Sequence, residues 1–235
     1  MDSELESMLD RAGELLKDLE DEYKNCLKAK KVSERAKNIA PEIVVKLRSA
    51  LDHMMRRAWE KHVAPNLAEK DRKSARVFFP VVGNLDAFRS TLGRGAMADL
   101  DKVHKNLYDF LLEKQPFSSE QNRWLDLLAK IAGEGKHVRL TPQKLTEKIG
   151  RISVSSPGGT VSWDASSVRF GAGVSIMGAP VDPVTQRVVP TRGVTQRVDI
   201  LVAFMFDTYG VDALGFCKEA CQKTRVLVEE MVNVV

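Results

Sequence analysis

An α+β fold is predicted: mainly an α-helical bundle, followed by a small antiparallel β-sheet and a C-terminal helix. Three observations predict it. Apolar residues recur at three- and four-residue steps from Ser3 to Gly133, the pattern changes to two-residue alternation after Gly150, and a last helical stripe closes the chain. The expected organisation is 1–149 as the bundle and 150–235 as the sheet with its closing helix. No internal repeat or low-complexity linker separates the parts, so the sheet is expected to dock on the bundle.

Each element has its own signal. Over residues 3–27, Leu5, Met8, Leu9, Ala12, Leu16, Leu19, Tyr23 and Cys26 form one stripe, with acidic residues toward the helix N-terminus, where the helix dipole favours them. A second helix is expected over 41–63, opened by Pro41, which suits a first turn, and striped by Leu47, Leu51, Met54, Ala58 and His62. Pro65 follows its end, and the polar stretch 66–75 reads as a loop. Residues 77–82, interrupted by Pro80, are apolar without helical period and read as an anchor. Helices are expected again over 84–92 and 98–113, the latter ended by Gln115-Pro116-Phe117. Ser118 or Ser119 caps the next, which carries Trp124, Leu127, Leu128 and Ile131 and reaches Gly133.

Beyond Gly150 the alternation of residues 151–155 and 160–163 around Pro157-Gly158-Gly159 predicts a hairpin. Short strands are expected over 167–170 and 174–177, an irregular excursion through Pro180, Pro183 and Pro190, and a strongly apolar strand over 198–206. The closing helix is expected from about Val211, with Leu214, Cys217, Cys221, Val228 and Met231 inward.

Composition narrows the class. At 235 residues, 43% hydrophobic and 29% charged, the chain can bury a core without staples. No apolar run approaches the roughly 18 to 20 residues that span a bilayer. The opening Met-Asp-Ser-Glu-Leu-Glu-Ser lacks the basic and then apolar layout of a secretion signal, so a cytoplasmic protein without membrane association is expected. Cys26, Cys217 and Cys221 form neither a disulfide framework nor a Cys-x-x-Cys zinc motif and read as core residues. The net charge of +4 is unevenly spread, with basic clusters at Arg56, Arg57 and Lys61 and at Lys70, Arg72, Lys73 and Arg76. These form a solvated face or a surface for phosphate.

The chemistry concentrates in two polar strings, Arg48-Ser-Ala-Leu-Asp-His53 and Gly135-Lys-His-Val-Arg-Leu140. Arg48 and Asp52 are four apart on a helix and can pair across one turn, with His53 on the neighbouring face. The second string lies at or just past a helix end, with His137 between Lys136 and Arg139. If the two helices neighbour each other, His53 and His137 could face one cleft surrounded by cations. Imidazoles exchange protons near neutral pH, and guanidinium and ammonium groups hold phosphate. That set suits metal-independent RNA cleavage, with His53 and His137 as acid and base, Arg48 and Asp52 completing the catalytic set, and Lys136 and Arg139 on phosphate. It equally suits a structural clamp between helices. Asp52, His53 and His137 could also supply three metal ligands, but no HExxH-type spacing supports a metal site, and no cofactor loop is present. His62 and His104 read as structural or solvent-facing.

An arginine followed by four residues and a histidine, as in Arg48 to His53, resembles the signature of HEPN domains. These are helical bundles, many of them metal-independent ribonucleases with a cleft built across a dimer. Here the string lies in the second helix, whereas that signature normally lies late in the bundle. Residues 40–235 also resemble a group of uncharacterised bacterial proteins. That group shares the Leu-Arg-Ser-x-Leu-Asp-His helix, a Phe-Pro anchor as at Phe79-Pro80, a Gln-Pro-aromatic turn as at Gln115 to Phe117, and a Lys-His string after a tryptophan helix. The HEPN resemblance implies an RNA-binding or RNA-cleaving protein, whereas the likeness to the uncharacterised group supports the architecture alone. The alternative is a non-enzymatic interaction module, with the same residues as a clamp and the N-terminal helices mediating a homodimer.

Overall fold

The structure is a computed structural model and describes residues 3–29, 32–136, 143–165 and 167–235. The fold is mainly helical α+β, with a small antiparallel sheet and a C-terminal helix, as the sequence predicts. The chain divides into two compact units, 1–144 together with 205–235, and 145–204.

In the first unit, α1 (Ser3–Ala29) lays Leu5, Leu9, Ala12, Leu15 and Leu19 along α2 (Glu34–His62) and α8 (Ala213–Val234), all five buried. The apolar stripe of α1 is therefore covered within this chain. Helix α2 begins well before the expected 41–63. Ser33 caps it, accepting a hydrogen bond from the Ala36 N–H at 3.0 Å. Pro41 lies inside the helix. An interior proline removes one backbone bond and costs about 3 kcal/mol. Buried Ile39, Ala40, Ile43 and Val44 on both sides of it offset that cost through the stripe they continue.

The stretch 66–75 is not all loop, because α3 (Glu69–Ser74) forms there with no buried residue. A helix with no apolar face leaves no periodicity to detect. Next, α4 (Leu85–Arg94) is capped by Asn84, whose side chain accepts from the Ala87 N–H at 2.8 Å. The single helix expected over 98–113 is two, α5 (Leu100–Val103) and α6 (Lys105–Glu113), broken at His104. The non-helical backbone of His104 ends α5, and its Nδ1 caps α6 by accepting from the Leu107 N–H at 3.2 Å. Helix α7 (Arg123–Lys136) packs on α2, as does α8, and Trp59 of α2 donates from its indole nitrogen to the Gly95 carbonyl at 2.8 Å. The closing helix thus belongs to the bundle unit, and the boundary expected at 149/150 falls inside a strand.

The second unit is built on β1 (Gln143–Ser156) and β2 (Gly159–Asp164), the expected hairpin, with Ile152 opposite Trp163 and Val154 opposite Val161. Gly159 holds φ at 140°, a region side chains avoid, at the close of the Pro157-Gly158 turn. Ile152, Val154 and Trp163 form the unit's small core, and Phe170 packs edge-on to Trp163 at 5.1 Å. Residues 167–170 do not form a strand. The Gln186 amide instead partners the Phe170 backbone, accepting its N–H at 2.8 Å and donating to its carbonyl at 3.0 Å. One side chain thereby does what a neighbouring strand would. Strands β3 (Ser175–Ile176) and β4 (Ala179–Pro180) form a separate ribbon. The larger sheet runs β2-β1-β5-β6, where β5 is Thr195–Phe206 and β6 is Val211–Asp212. The string Val-Thr-Gln-Arg-Val occurs twice, at 184–188 and 194–198, and Gln196 also bonds backbone, accepting from the Val188 N–H at 2.6 Å.

Candidate functional site

The first polar string meets the apolar anchor. Arg48 and Asp52 pair across one turn of α2, with Arg48 Nη2 at 2.8 Å from Asp52 Oδ1 and Nε at 3.3 Å from Oδ2. Both residues also bind the backbone of Phe79. Arg48 Nη2 donates to its carbonyl at 2.7 Å, and its N–H donates to Asp52 Oδ1 at 3.0 Å. The two side chains are only 13% and 18% exposed, so the pair and its backbone partners are largely out of water. A buried charge with a partner on each side is stable, whereas one stripped of its partner is costly.

A second clamp holds the same strap one and three residues further on, at Pro80 and Val82. Gln115 is fully buried just past the end of α6; its amide nitrogen donates to the carbonyls of Pro80 at 2.9 Å and Leu111 at 2.8 Å. Its amide oxygen accepts the Val82 N–H at 3.2 Å. Residues 77–82 run without secondary structure, so their backbone groups need partners from elsewhere. Arg48, Asp52 and Gln115 supply them. In the sequence Gln115 reads only as part of a turn. The signal that could have found it is an amide, able to serve an N–H and a carbonyl at once, in the turn right after an apolar helix stripe.

His53 looks elsewhere. It lines a crevice of about 720 Å³ with Glu4, Arg57, Glu60 and Lys61, formed by the first turn of α1, the second half of α2 and the end of α8. Its Nε2 lies 4.0 Å from a Glu4 carboxylate oxygen, and its side chain is 23% exposed. Arg48 and Asp52 line a different cavity, of about 380 Å³, with the strap, Arg94 of α4, and Ala129, Ala132 and Gly133 of α7. The structure thus brings Arg48 and Asp52 together and places His53 apart from them. Of the second string, α7 ends at Lys136, while His137 and Arg139 lie outside the described residues.

The remaining histidines are structural. His104 caps α6 and stacks edge-on against His62 at 4.3 Å. The basic residues past the middle of α2 and on α3 are exposed: Arg56 lies over the Trp59 ring at 4.7 Å and pairs with Glu60 at 2.8 Å, while Lys73 pairs with Glu69 at 2.6 Å. Arg56, Trp59, Arg72 and Lys73 line a shallow cavity of about 560 Å³. Burial pushes the Cys217 thiol well above its usual range and the Cys221 thiol up to about 11, which suits core residues better than nucleophiles. Burial, then the hydrogen bond to Glu134 at 2.7 Å, pushes the Tyr209 hydroxyl up to about 12. No helix among the described residues is long and apolar enough to cross a membrane. Compared with protein-family models, curated proteins and solved structures, the chain has no match.

Proposed function

We propose that this chain is an RNA-binding module in which the first polar string is a structural clamp. The observation that carries this is the bonding of both Arg48 and Asp52 to the two backbone groups of Phe79. Those residues are engaged in holding the strap, while the exposed cations of α2 and α3 present their charge to phosphate. Arg56, Arg72 and Lys73 supply the attraction; they line one cavity with Trp59 and Glu69. Such a surface binds through charge, so its affinity falls steeply with salt.

The test is fluorescence anisotropy with a labelled single-stranded oligoribonucleotide over a salt series. Replacing Arg72 and Lys73 by glutamate on exposed α3 should weaken binding by at least about tenfold and flatten the salt dependence by about 0.7 for each phosphate no longer engaged. Binding that ignores both salt and these substitutions refutes the reading.

A second reading, metal-independent cleavage of the HEPN-like kind, draws support from the crevice around His53. There an imidazole, two carboxylates and two cations line one open space. His53 would move a proton while Arg57 and Lys61 hold phosphate. His53→Ala should then abolish cleavage of the labelled RNA at unchanged Tm. An intact parent protein that leaves the RNA uncut disposes of it.

A further inference from the structure

The larger sheet has one long outer strand. In the order β2-β1-β5-β6, the strand at one end, β6, has two residues and the strand at the other, β2, has six. An edge strand is a template for another strand, and proteins blunt such edges with charged side chains or proline. Residues 159–163, Gly-Thr-Val-Ser-Trp, carry neither.

The side chains show which backbone groups of β2 point outward. The hydroxyls of Ser153 and Ser162 lie 2.9 Å apart, as do those of Ser155 and Thr160. Such close approach marks the non-hydrogen-bonded pairs of an antiparallel ladder, so Gly159, Val161 and Trp163 are the residues that bond β1. The N–H and carbonyl of Thr160 and Ser162 therefore face the open edge, where they have no backbone partner among the described residues. The carbonyl of Asp164 differs, because the Ser167 and Val168 N–H groups each donate to it at 3.2 Å. Gly159, Thr160, Val161 and Ser162 are all exposed. Val161 lies on the same face as Trp163, yet it is 45% exposed where Trp163 is 8%.

We propose that β2 pairs antiparallel with β2 of a second copy of this chain, about a two-fold axis at Val161. In this register Thr160 lies opposite Ser162 of the second copy and exchanges both backbone bonds with it, and the symmetry-related pair does the same. Val161 meets its own copy in a non-hydrogen-bonded pair, with Cα atoms about 4.5 Å apart, so the exposed valine covers itself. Gly159 lies opposite Trp163 of the second copy, which sets the bulkiest residue of the strand against the one without a side chain. On the other face hydroxyl meets hydroxyl, which extends the Ser155–Thr160 and Ser153–Ser162 rows. A register centred on Ser162 would need the Asp164 carbonyl, which the turn already uses, and one centred on Thr160 would run into the Pro157-Gly158 turn. An extended peptide of another protein would satisfy the same backbone groups, but this pattern is matched by the strand's own sequence. Two four-stranded sheets then become one. The contact is a single strand wide and smaller than the about 1,000 Å² of a stable interface, so the dimer is weak and reversible. It is independent of the RNA-binding reading, since Arg72 and Lys73 take no part in it.

The test is sedimentation velocity of the full chain from about 10 µM to 1 mM, where a reversible monomer–dimer equilibrium with Kd of about 0.1–1 mM is expected. Val161→Lys sets like charges on the axis at a position the monomer exposes, so it should weaken dimerisation at least tenfold with Tm unchanged. Val161→Cys should give a disulfide-linked dimer on mild oxidation, because residue 161 alone meets itself at bridging distance. Ser162→Cys, which faces Thr160, should cross-link at least tenfold more slowly, with the parent as the blank for Cys26, Cys217 and Cys221. In the parent, the amide protons of Thr160 and Ser162 should exchange more slowly as concentration rises. If Val161→Lys fails to fold, that exchange decides. A monomer at 1 mM, a dimer that survives Val161→Lys, equal cross-linking of the two cysteine variants, or exchange at Thr160 and Ser162 that ignores concentration overturns the proposal.

Discussion

Replacing Asp52 with alanine tests the clamp most directly. The substitution removes acceptors for Arg48 Nε at 3.3 Å, Arg48 Nη2 at 2.8 Å and the Phe79 N–H at 3.0 Å. Arg48 would keep the Phe79 carbonyl but lose its counter-charge in a site where it is 13% exposed. Breaking a fully buried pair costs about 3–5 kcal/mol, and an orphaned backbone N–H about 1–3 kcal/mol. The remaining access of water reduces the first figure, so a destabilisation of about 2–4 kcal/mol is expected. In a domain of this size that lowers Tm by about 5–12 °C. Urea and thermal unfolding followed by circular dichroism at 222 nm report mainly on the helical unit. Asp52→Asn keeps an acceptor for Phe79 and should cost about half as much. In a double-mutant cycle with Arg48→Ala, the coupling should be about 1–3 kcal/mol. A change under about 0.5 kcal/mol for Asp52→Ala, with no coupling, would mean the pair holds nothing and would remove the ground for calling it a clamp.

The other expectations concern separate parts of the fold. Gln115→Leu should destabilise by about 2–3 kcal/mol in urea unfolding, since it strands the Pro80 and Leu111 carbonyls and the Val82 N–H; an effect below about 1 kcal/mol would show that water replaces the amide. Gly13→Ala, in the interior of α1 with no atom beyond the local helix backbone within 4 Å of the added Cβ, should stabilise by about 0.5–1 kcal/mol; destabilisation would contradict the helix placement. Burial strengthens the hold of Cys217, Cys221 and Tyr209 on their protons in the folded state. Their contribution to stability is therefore complete below a free thiol's pKa of about 8.5 and declines as pH rises toward the folded values near 11 and 12. Melting curves from pH 7 to 10 should fall at the alkaline end, and Cys221 should react with a disulfide reagent at pH 8 about a hundredfold more slowly than a free thiol; equal rates would refute its burial.

How far the sequence carried the fold depended on burial. Helices with one buried face, such as α1 and α8, announced themselves through Leu5, Leu9 and Leu19 and through Cys217 and Val228. Helix α3 buries nothing and left no trace, and Pro41 concealed the true start of α2 because a first-turn position is the ordinary place for proline. The site was legible only where its partners are local. The Arg48–Asp52 pair follows from a four-residue spacing, but its partner on the strap is a backbone group 27 to 31 residues away, which no spacing encodes. For the same reason Gln115, whose Pro80 partner is 35 residues distant, went unrecognised. Arg48 and His53 line different cavities because successive helical residues face different ways: Asp52 turns to the strap and His53 to the crevice beside Glu4, while His137, expected to share a cleft with His53, lies outside the described residues.

That the strap is gripped by its main chain has a consequence for how this sequence can drift. Amide and carbonyl groups are common to almost every amino acid, so the identities of residues 78 to 82 are nearly invisible to Arg48, Asp52 and Gln115. Substitutions there answer to burial and shape instead, above all at Phe79, which is buried. The exception is proline at 79 or 82, where the N–H that Asp52 or Gln115 receives would vanish. The hydrogen-bonding stringency lies on the three gripping side chains, scattered over two distant stretches of chain, and the segment they hold is constrained by the burial of Phe79.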